Sequence, residues 1–182
     1  PDIETPPHVL DAVRNSDFKI LEYRHSAGNE SYRRKLVSYY AKNNISINYN
    51  QIIITTGGSE AILFGFMACM DLGDAVIIPE PYYANYNGFE LAAGGNVIRK
   101  TSHIENGFAL PPLEAFEKSI TAKTKAIVVC NPKNPTGYLY SKEELEVLKT
   151  IALKYNLYLF ADEAYREFCY EGKHFSAMQL EG

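Results

Sequence analysis

Short, mostly apolar runs alternate along this chain with longer segments whose apolar residues recur every three or four positions. Successive apolar positions predict strands buried on both faces, whereas recurrence every three or four residues predicts helices. The predicted strands are 52–56, 75–79, 96–101, 126–130 and 157–161. The predicted helices are 8–15, 31–43, 60–71, 84–93, 113–120 and 142–155. Ser141 followed by Glu144 forms a capping-box sequence at the start of the last helix.

The regular alternation of strands and helices predicts the fold class. Parallel strands need a crossover connection, which is usually a helix, and such helices cover both faces of the sheet. We therefore expect an α/β protein with three layers, in which a mostly parallel sheet lies between two layers of helices.

Composition and charge narrow the class of protein. The 182 residues are 46% hydrophobic and 13% aromatic, enough for a sizeable core, and the formal net charge is −4. Acidic and basic residues are interspersed, which argues against nucleic-acid and membrane-surface partners. The sequence has no apolar run near the roughly 20 residues of a spanning helix and no signal-peptide core at its start, so we expect a cytoplasmic protein.

Cysteines and histidines give no sign of a disulfide framework or a metal site. Cys69, Cys130 and Cys169 are odd in number, lack CxxC spacing and lie among apolar residues, so we expect reduced core residues. The four histidines are scattered along the chain, and no metal is expected.

Candidate chemistry lies where predicted strands end, beginning with a glycine turn. In TTGGSEA, residues 55–61, a strand breaks into glycines and Ser59 at the start of a helix. Free backbone N–H groups and the helix dipole suit such a turn to phosphate. The P-loop and GxGxxG patterns are both absent, and Ser59 taken alone is more often only an N-cap.

Three further strand ends carry polar or aromatic residues suited to a planar ligand. Tyr83 follows the strand 75–79, and its ring can stack on a heterocycle or simply pack. Asn134 lies in NPKNPTG, residues 131–137, where two prolines and a glycine hold the loop in a set shape. Asp162 follows an apolar strand, where a carboxylate needs a partner such as a protonated ring nitrogen. The alternative for Asp162 is a cap on the following turn.

Together, GGSEA, NPKNPTG and DEAY, each after a strand and in this order, resemble the fold type I pyridoxal-phosphate (PLP) enzymes. The resemblance is to the class I/II aminotransferases of the aspartate aminotransferase group and runs from PDIETP near the start to at least Tyr165. It implies the large domain of a PLP transferase and transfer of an amino group between an amino acid and a 2-oxo acid. Residues 1–45 would be an N-terminal segment and the start of a small domain, and residues 46–182 a partial large domain.

The resemblance assigns a role to each candidate residue. Gly58 and Ser59 would bind the cofactor phosphate, and Tyr83 would stack on the pyridine ring. Asp162 would pair with the pyridinium nitrogen, since a nearby carboxylate favours the protonated ring.

The same resemblance implies contacts with the 3′-oxygen of the ring and with a second subunit. Asn134 and Tyr165 would hydrogen-bond the 3′-oxygen. Tyr23 would reach the cofactor phosphate of the neighbouring subunit, which implies a homodimer with active sites at the interface. The PDIETPP segment, residues 1–7, would lie over the substrate.

A gap in the motif set concerns lysine. The family needs a lysine that forms a Schiff base with the cofactor, located beyond a further strand after DEAY, and an arginine that binds the substrate carboxylate. Lys173 lies in a polar turn and Lys133 in a variable position of the heptad, so neither fits. We therefore expect a fragment, about the first half of an enzyme and inactive alone. The glycine-turn strand would then be separated from the others by two strands that the fragment lacks.

Three alternatives remain open at this point. A PLP-dependent carbon–sulfur lyase or a cyclopropane-forming synthase shares most of these residues. The PLP-binding module of a transcription regulator would bind the cofactor without turnover. A nucleotide- or phosphosugar-binding α/β domain could use the glycine turn, although it leaves the heptad and Asp162 unexplained.

Overall fold

A four-stranded parallel sheet forms the centre of the chain. The computed structural model describes residues 2–21 and 23–181. The strands are β1 (Ala75–Glu80), β2 (Asn96–Thr101), β3 (Thr124–Cys130) and β4 (Tyr158–Asp162), in the order β2-β1-β3-β4. Every adjacent pair is parallel. The carboxyl ends of all four strands therefore meet at one edge of the sheet.

Within the described residues, six α-helices and three short 3₁₀ helices connect and flank these strands. The α-helices are α1 (Pro7–Arg14), α2 (Glu30–Lys42), α3 (Gly58–Cys69), α4 (Tyr86–Ala92), α5 (Leu113–Glu117) and α6 (Lys142–Tyr155). The 3₁₀ helices span Tyr49–Gln51, Ile104–Asn106 and Ala177–Gln179. The capping box predicted for α6 is confirmed, since Ser141 and Glu144 exchange side-chain and backbone hydrogen bonds.

Helices cover both faces of the sheet, which confirms the three-layer α/β class. Successive side chains of a strand point to opposite faces. Val76 and Val128 accordingly pack with Phe66 of α3 and with residues of α4. Ile77 and Ile127 pack on the other face against α5 and α6.

The predicted strand 52–56 is wrong. Ile52 has an extended backbone, but Thr56 lies in a bend and none of these residues belongs to a sheet. Ile53 is 67% exposed. A strand needs a neighbour to complete its hydrogen-bond ladder. Apart from the local turn bond of Ile52 N–H to Tyr49 C=O at 3.2 Å, the described part of the chain offers this segment one backbone bond, from Ile54 N–H to Ala27 C=O at 3.0 Å. Gly28 permits that approach, because a Cβ there would lie 2.6 Å from Ile54 Cβ.

Smaller differences concern boundaries and cysteines. The strand predicted at 157–161 runs one residue further, so Asp162 is the last residue of β4. The helix predicted at 113–120 ends at Glu117. All three cysteines are free. Cys130 is buried in the core, and Cys69 is partly buried and packs against the same core cluster. The prediction of a core position is wrong for Cys169, which is partly exposed and belongs to neither core cluster.

The N-terminal region is the least buried part of the chain. Helix α1 buries no residue against the rest of the structure. Ile3, Phe18, Ile20 and Leu21 are each at least 77% exposed. Among the described residues, no helix combines the length and apolarity needed to cross a bilayer.

Candidate active site

One cavity of about 220 Å³ lies at the carboxyl edge of the sheet, where the ends of α3, β3 and β4 meet. It brings together six of the seven residues predicted to bind the cofactor; Tyr23 is the exception. The six are Gly58, Ser59, Tyr83, Asn134, Asp162 and Tyr165. The remaining lining residues are Ile62, Phe89, Cys130 and Ala164.

The glycine turn forms one end of this cavity. Gly57 is the N-cap of α3 and has no side chain to receive the N–H groups of the first turn. The Glu60 carboxylate is turned back and accepts a bond from Thr56 N–H at 2.7 Å. A Cβ on Gly57 or Gly58 would meet no atom within 4 Å, so open space lies in front of the turn. The N–H groups of Gly58 and Ser59 are therefore available to an anionic group.

Asp162 projects from the end of β4 into the cavity. Its Oδ2 accepts a hydrogen bond from the Tyr86 hydroxyl at 2.7 Å, and its Oδ1 accepts one from Ala164 N–H at 3.0 Å. Each carboxylate oxygen can accept more than one bond, so both retain capacity for a ligand. The Ala164 contact is the turn cap that sequence reasoning left open as the alternative role for this acid.

Tyr86 is a site residue that sequence reasoning missed. It begins α4 and is completely buried, and its ring meets the Tyr83 ring edge-on with centroids 5.5 Å apart. Burial raises the pKa of its hydroxyl, and the neighbouring Cys130 thiol and Asp162 carboxylate raise it further. Tyr86 therefore stays protonated and acts as a hydrogen-bond donor to Asp162. No local signal distinguished it from other tyrosines.

The two asparagines of the heptad have different positions. Asn131 is buried and ties the loop to its surroundings, since its Oδ1 accepts from Tyr140 N–H at 3.0 Å and its Nδ2 donates to Phe175 C=O at 3.2 Å. Asn134 is half-buried and faces the cavity. Between them, Lys133 closes a tight turn, because its C=O accepts from Gly137 N–H at 2.7 Å.

The two lysines weighed for the Schiff base, Lys133 and Lys173, do not line the cavity. The Lys133 ammonium is directed to Ser102, with Nζ 3.4 Å from Oγ, and burial lowers its pKa to about 8. Lys173 lies on a separate, polar cavity beside Arg166 and His174. Neither residue therefore lies where the cofactor lysine would be required.

The side chains of Asp162 and Glu163 point in opposite directions, as expected for consecutive residues at the end of a strand. Glu163 points to the opposite side, where its carboxylate accepts from Ser176 Oγ and Ala177 N–H, both at 2.9 Å. Arg166 lies 3.8 Å from the same carboxylate. Glu163 thus fixes the loop after β4, which holds Asp162 and Tyr165 toward the cavity.

Tyr23 is the predicted residue that lies outside the cavity. Its side chain is fully exposed. The structure therefore brings it near none of the other six residues, and a role on a neighbouring subunit stays a prediction.

Comparisons with known proteins agree with this geometry. The profile of a family described as aminotransferase class I and II matches residues 1–181. An aspartate/prephenate aminotransferase of Thermus thermophilus is 39% identical over 178 residues, which are 97% of this chain and 46% of that protein. An aspartate aminotransferase of Bacillus subtilis is 37% identical and is covered to the same 46%.

Solved structures give the same picture. A mutant of Thermus thermophilus aspartate aminotransferase superposes with a TM-score of 0.89 at 37% identity, over 99% of this chain and 47% of that one. An aromatic aminotransferase from Pyrococcus horikoshii gives a TM-score of 0.93 at 28% identity, over 100% of this chain and 49% of that one. The chain spans about half the length of the curated relatives it matches.

Proposed function

The chain belongs to the class I and II aminotransferases, a PLP-dependent family, and on that premise we propose that the intact protein transfers an amino group between an amino acid and a 2-oxo acid. The observation that supports the proposal most directly is the single cavity lined by Gly58, Ser59, Tyr83, Asn134, Asp162 and Tyr165. A helix start, the end of β4 and three loops supply these residues, and together they suit the different parts of one ligand.

The residues fit the phosphate end of PLP. A phosphate at the start of α3 would accept bonds from the N–H groups of Gly58 and Ser59 and from the Ser59 hydroxyl. The dipole of a 12-residue helix adds a favourable interaction with the anion. The open space in front of Gly57 and Gly58 leaves room for it.

The residues fit the ring end as well. PLP, when bound, supplies an electron sink for the bond that breaks at the amino acid Cα, and the sink works best with its ring nitrogen protonated. Asp162 would hold that proton on the ring nitrogen as a carboxylate, and Tyr86 donates to Asp162. Tyr83 would cover one face of the ring. Asn134 and Tyr165 would hydrogen-bond the ring 3′-oxygen.

The size of the cavity indicates that this chain encloses only part of the ligand. Its 220 Å³ is less than the roughly 300–1,000 Å³ usual for small-molecule sites. Residues from elsewhere must complete the site, including the lysine that carries the cofactor. We propose that this chain alone does not turn over substrate.

The exposed N-terminal region supports a homodimer as the complete form. Apolar side chains at Ile3, Phe18, Ile20 and Leu21 are left in solvent, and exposed apolar residues in such numbers mark an interface. Tyr23 directly follows this region and would reach the cofactor phosphate of the partner subunit. The three free cysteines favour a reducing compartment, so we place the enzyme in the cytoplasm.

Binding of PLP to this chain tests the proposal. We expect Asp162→Asn to weaken binding at least about tenfold, because the variant loses a charged hydrogen bond to the ring nitrogen. Asp17→Asn, at an exposed position, is the matched control. Equilibrium dialysis measures the dissociation constant of PLP for each variant. Equal binding of PLP by Asp162→Asn and Asp17→Asn would refute the site.

Borohydride reduction tests the missing lysine. PLP bound to this chain should dialyse away after treatment with borohydride. Stoichiometric covalent retention would contradict the proposal that the chain is inert alone. Joining the chain to the rest of its parent polypeptide and supplying aspartate with a 2-oxo acid should then yield a new amino acid. Release of a thiol, pyruvate and ammonia from an S-substituted cysteine supplied instead would favour a carbon–sulfur lyase.

A further inference from the structure

Tyr82 stands next to the predicted stacking residue but is turned away from the cavity. Its hydroxyl accepts a hydrogen bond from Arg99 Nε at 2.9 Å and donates one to Asn87 Oδ1 at 2.9 Å. Arg99 Nη2 also reaches the same Asn87 oxygen, at 3.4 Å. Arg99 lies in β2 and Asn87 in α4. One hydroxyl therefore ties the end of β1 to a neighbouring strand and to the helix that follows it.

The Tyr82 ring is held against Tyr86. The two rings stack with centroids 6.2 Å apart and an interplanar angle of 29°. Tyr86 also contacts the Tyr83 ring edge-on, and its hydroxyl donates a hydrogen bond to Asp162. Tyr86 thus contacts Tyr82, the predicted stacking residue Tyr83 and the predicted partner of the ring nitrogen, Asp162.

We propose that Tyr82 is a positioning residue for this site, fixed by Arg99 and Asn87 and acting through the ring of Tyr86 on Asp162. The expected effect on PLP binding rests on the proposed function, whereas the effect on Tyr86 does not. A site is held in its working geometry by neighbours whose own rotamers are locked by packing and hydrogen bonds. Tyr82 has both kinds of restraint, and Arg99 and Asn87 are otherwise unexplained by the site.

Two hydroxyl deletions and a control isolate this effect. Tyr82→Phe removes the hydrogen bonds to Arg99 and Asn87 and keeps the ring. Tyr86→Phe removes the hydrogen bond to Asp162. Tyr158→Phe removes a hydroxyl from an exposed residue at the start of β4. The probes are PLP and its 1-deaza analogue, in which carbon replaces the ring nitrogen. Near-ultraviolet circular dichroism checks that each variant is folded.

The ratio of the two dissociation constants reports the contact with the ring nitrogen. We expect Tyr82→Phe to reduce the preference for PLP over the 1-deaza analogue about fivefold, the equivalent of one ordinary hydrogen bond. The double variant should have the same preference as Tyr86→Phe alone, because both changes act through one contact. Equal losses for both compounds, or effects that multiply in the double variant, would overturn the proposal.

A measurement without ligand keeps the inference separate from the proposed function. The Tyr86 hydroxyl proton is buried and bonded to a carboxylate, so it should exchange slowly with water and appear in proton NMR spectra. Tyr82→Phe should accelerate its exchange, and Tyr158→Phe should leave it unchanged. An unchanged exchange rate in Tyr82→Phe would overturn the positioning role even if the chain binds PLP. Failure of the unaltered chain to bind PLP would count against the proposed function instead.

Discussion

Glu90 is expected to make the chain less stable as pH rises from 4.5 to about 7, and Glu90→Gln is expected to remove that loss. The side chain is completely buried in α4, and neither carboxylate oxygen has a hydrogen-bond partner among the described residues. It lies against Gly95, where a Cβ would come within 2.0 Å of Oε1. Asp74, also buried, is the nearest like charge, and it is paired with the exposed Lys123 at 3.7 Å.

The magnitude follows from the pKa of Glu90. Burial raises it from 4.5 to about 7. The nearby backbone N–H of Asn96, which is bonded to Asp74 C=O, opposes the rise in part, and repulsion from the Asp74 carboxylate adds to it. The folded state therefore holds a proton that the unfolded state has released between these two pH values. Stability is fully present below the unfolded pKa and falls as pH rises through the folded one. At 1.36 kcal/mol per unit, the loss amounts to about 3 kcal/mol.

Thermal unfolding of the two proteins between pH 5 and 8.5 measures this loss. In a chain of this length, about 3 kcal/mol corresponds to a shift in Tm of roughly 6–12 °C. Glu90→Gln should be the more stable protein by that margin at pH 8.5 and should lose the advantage near pH 5. Glu105→Gln, in an exposed 3₁₀ turn, controls for the change in net charge. A difference between Glu90→Gln and the unaltered chain that stays constant with pH would refute the reasoning.

Three further changes test other parts of the fold. Burial lowers the Lys133 pKa to about 8, so between pH 8 and 10.5 the unfolded state keeps a proton that the folded state has lost, and stability should rise by as much as about 3 kcal/mol. Lys133→Met should abolish this rise, and denaturant unfolding across the same pH range measures the change in stability. Ser141→Ala should cost about 1 kcal/mol in urea unfolding through loss of the α6 cap, and an unchanged midpoint would contradict it. Gly28→Ala should lower Tm by several degrees, because φ is +90° and a Cβ would overlap Ile54, whereas Gly107→Ala is strained but meets no atom and should cost less.

The central strands could be predicted from sequence because burial on both faces leaves a continuous apolar run. Ala75 to Pro79 and Ala126 to Cys130 are such runs, and both lie in inner strands of the sheet. The segment 52–56 is also rich in β-branched residues, yet it forms no strand. Strand formation also requires a neighbouring backbone, and pairing over long distances leaves no trace in a local run of residues.

The site divides in the same way between local and distant signals. Gly58, Ser59, Asn134 and Asp162 stand in recognisable turns at strand or helix ends, so their meeting at one edge could be predicted from topology. Tyr86 could not, because its bond to Asp162 joins residues 76 apart in sequence and its own segment reads as an ordinary helix.

A crystal structure of this chain grown with PLP tests the central claim most directly. The phosphate should lie on the N–H groups of Gly58 and Ser59, with the ring against Tyr83 and its nitrogen within hydrogen-bond distance of Asp162. PLP bound at full occupancy anywhere else on the chain, with these four residues free of it, would contradict the account.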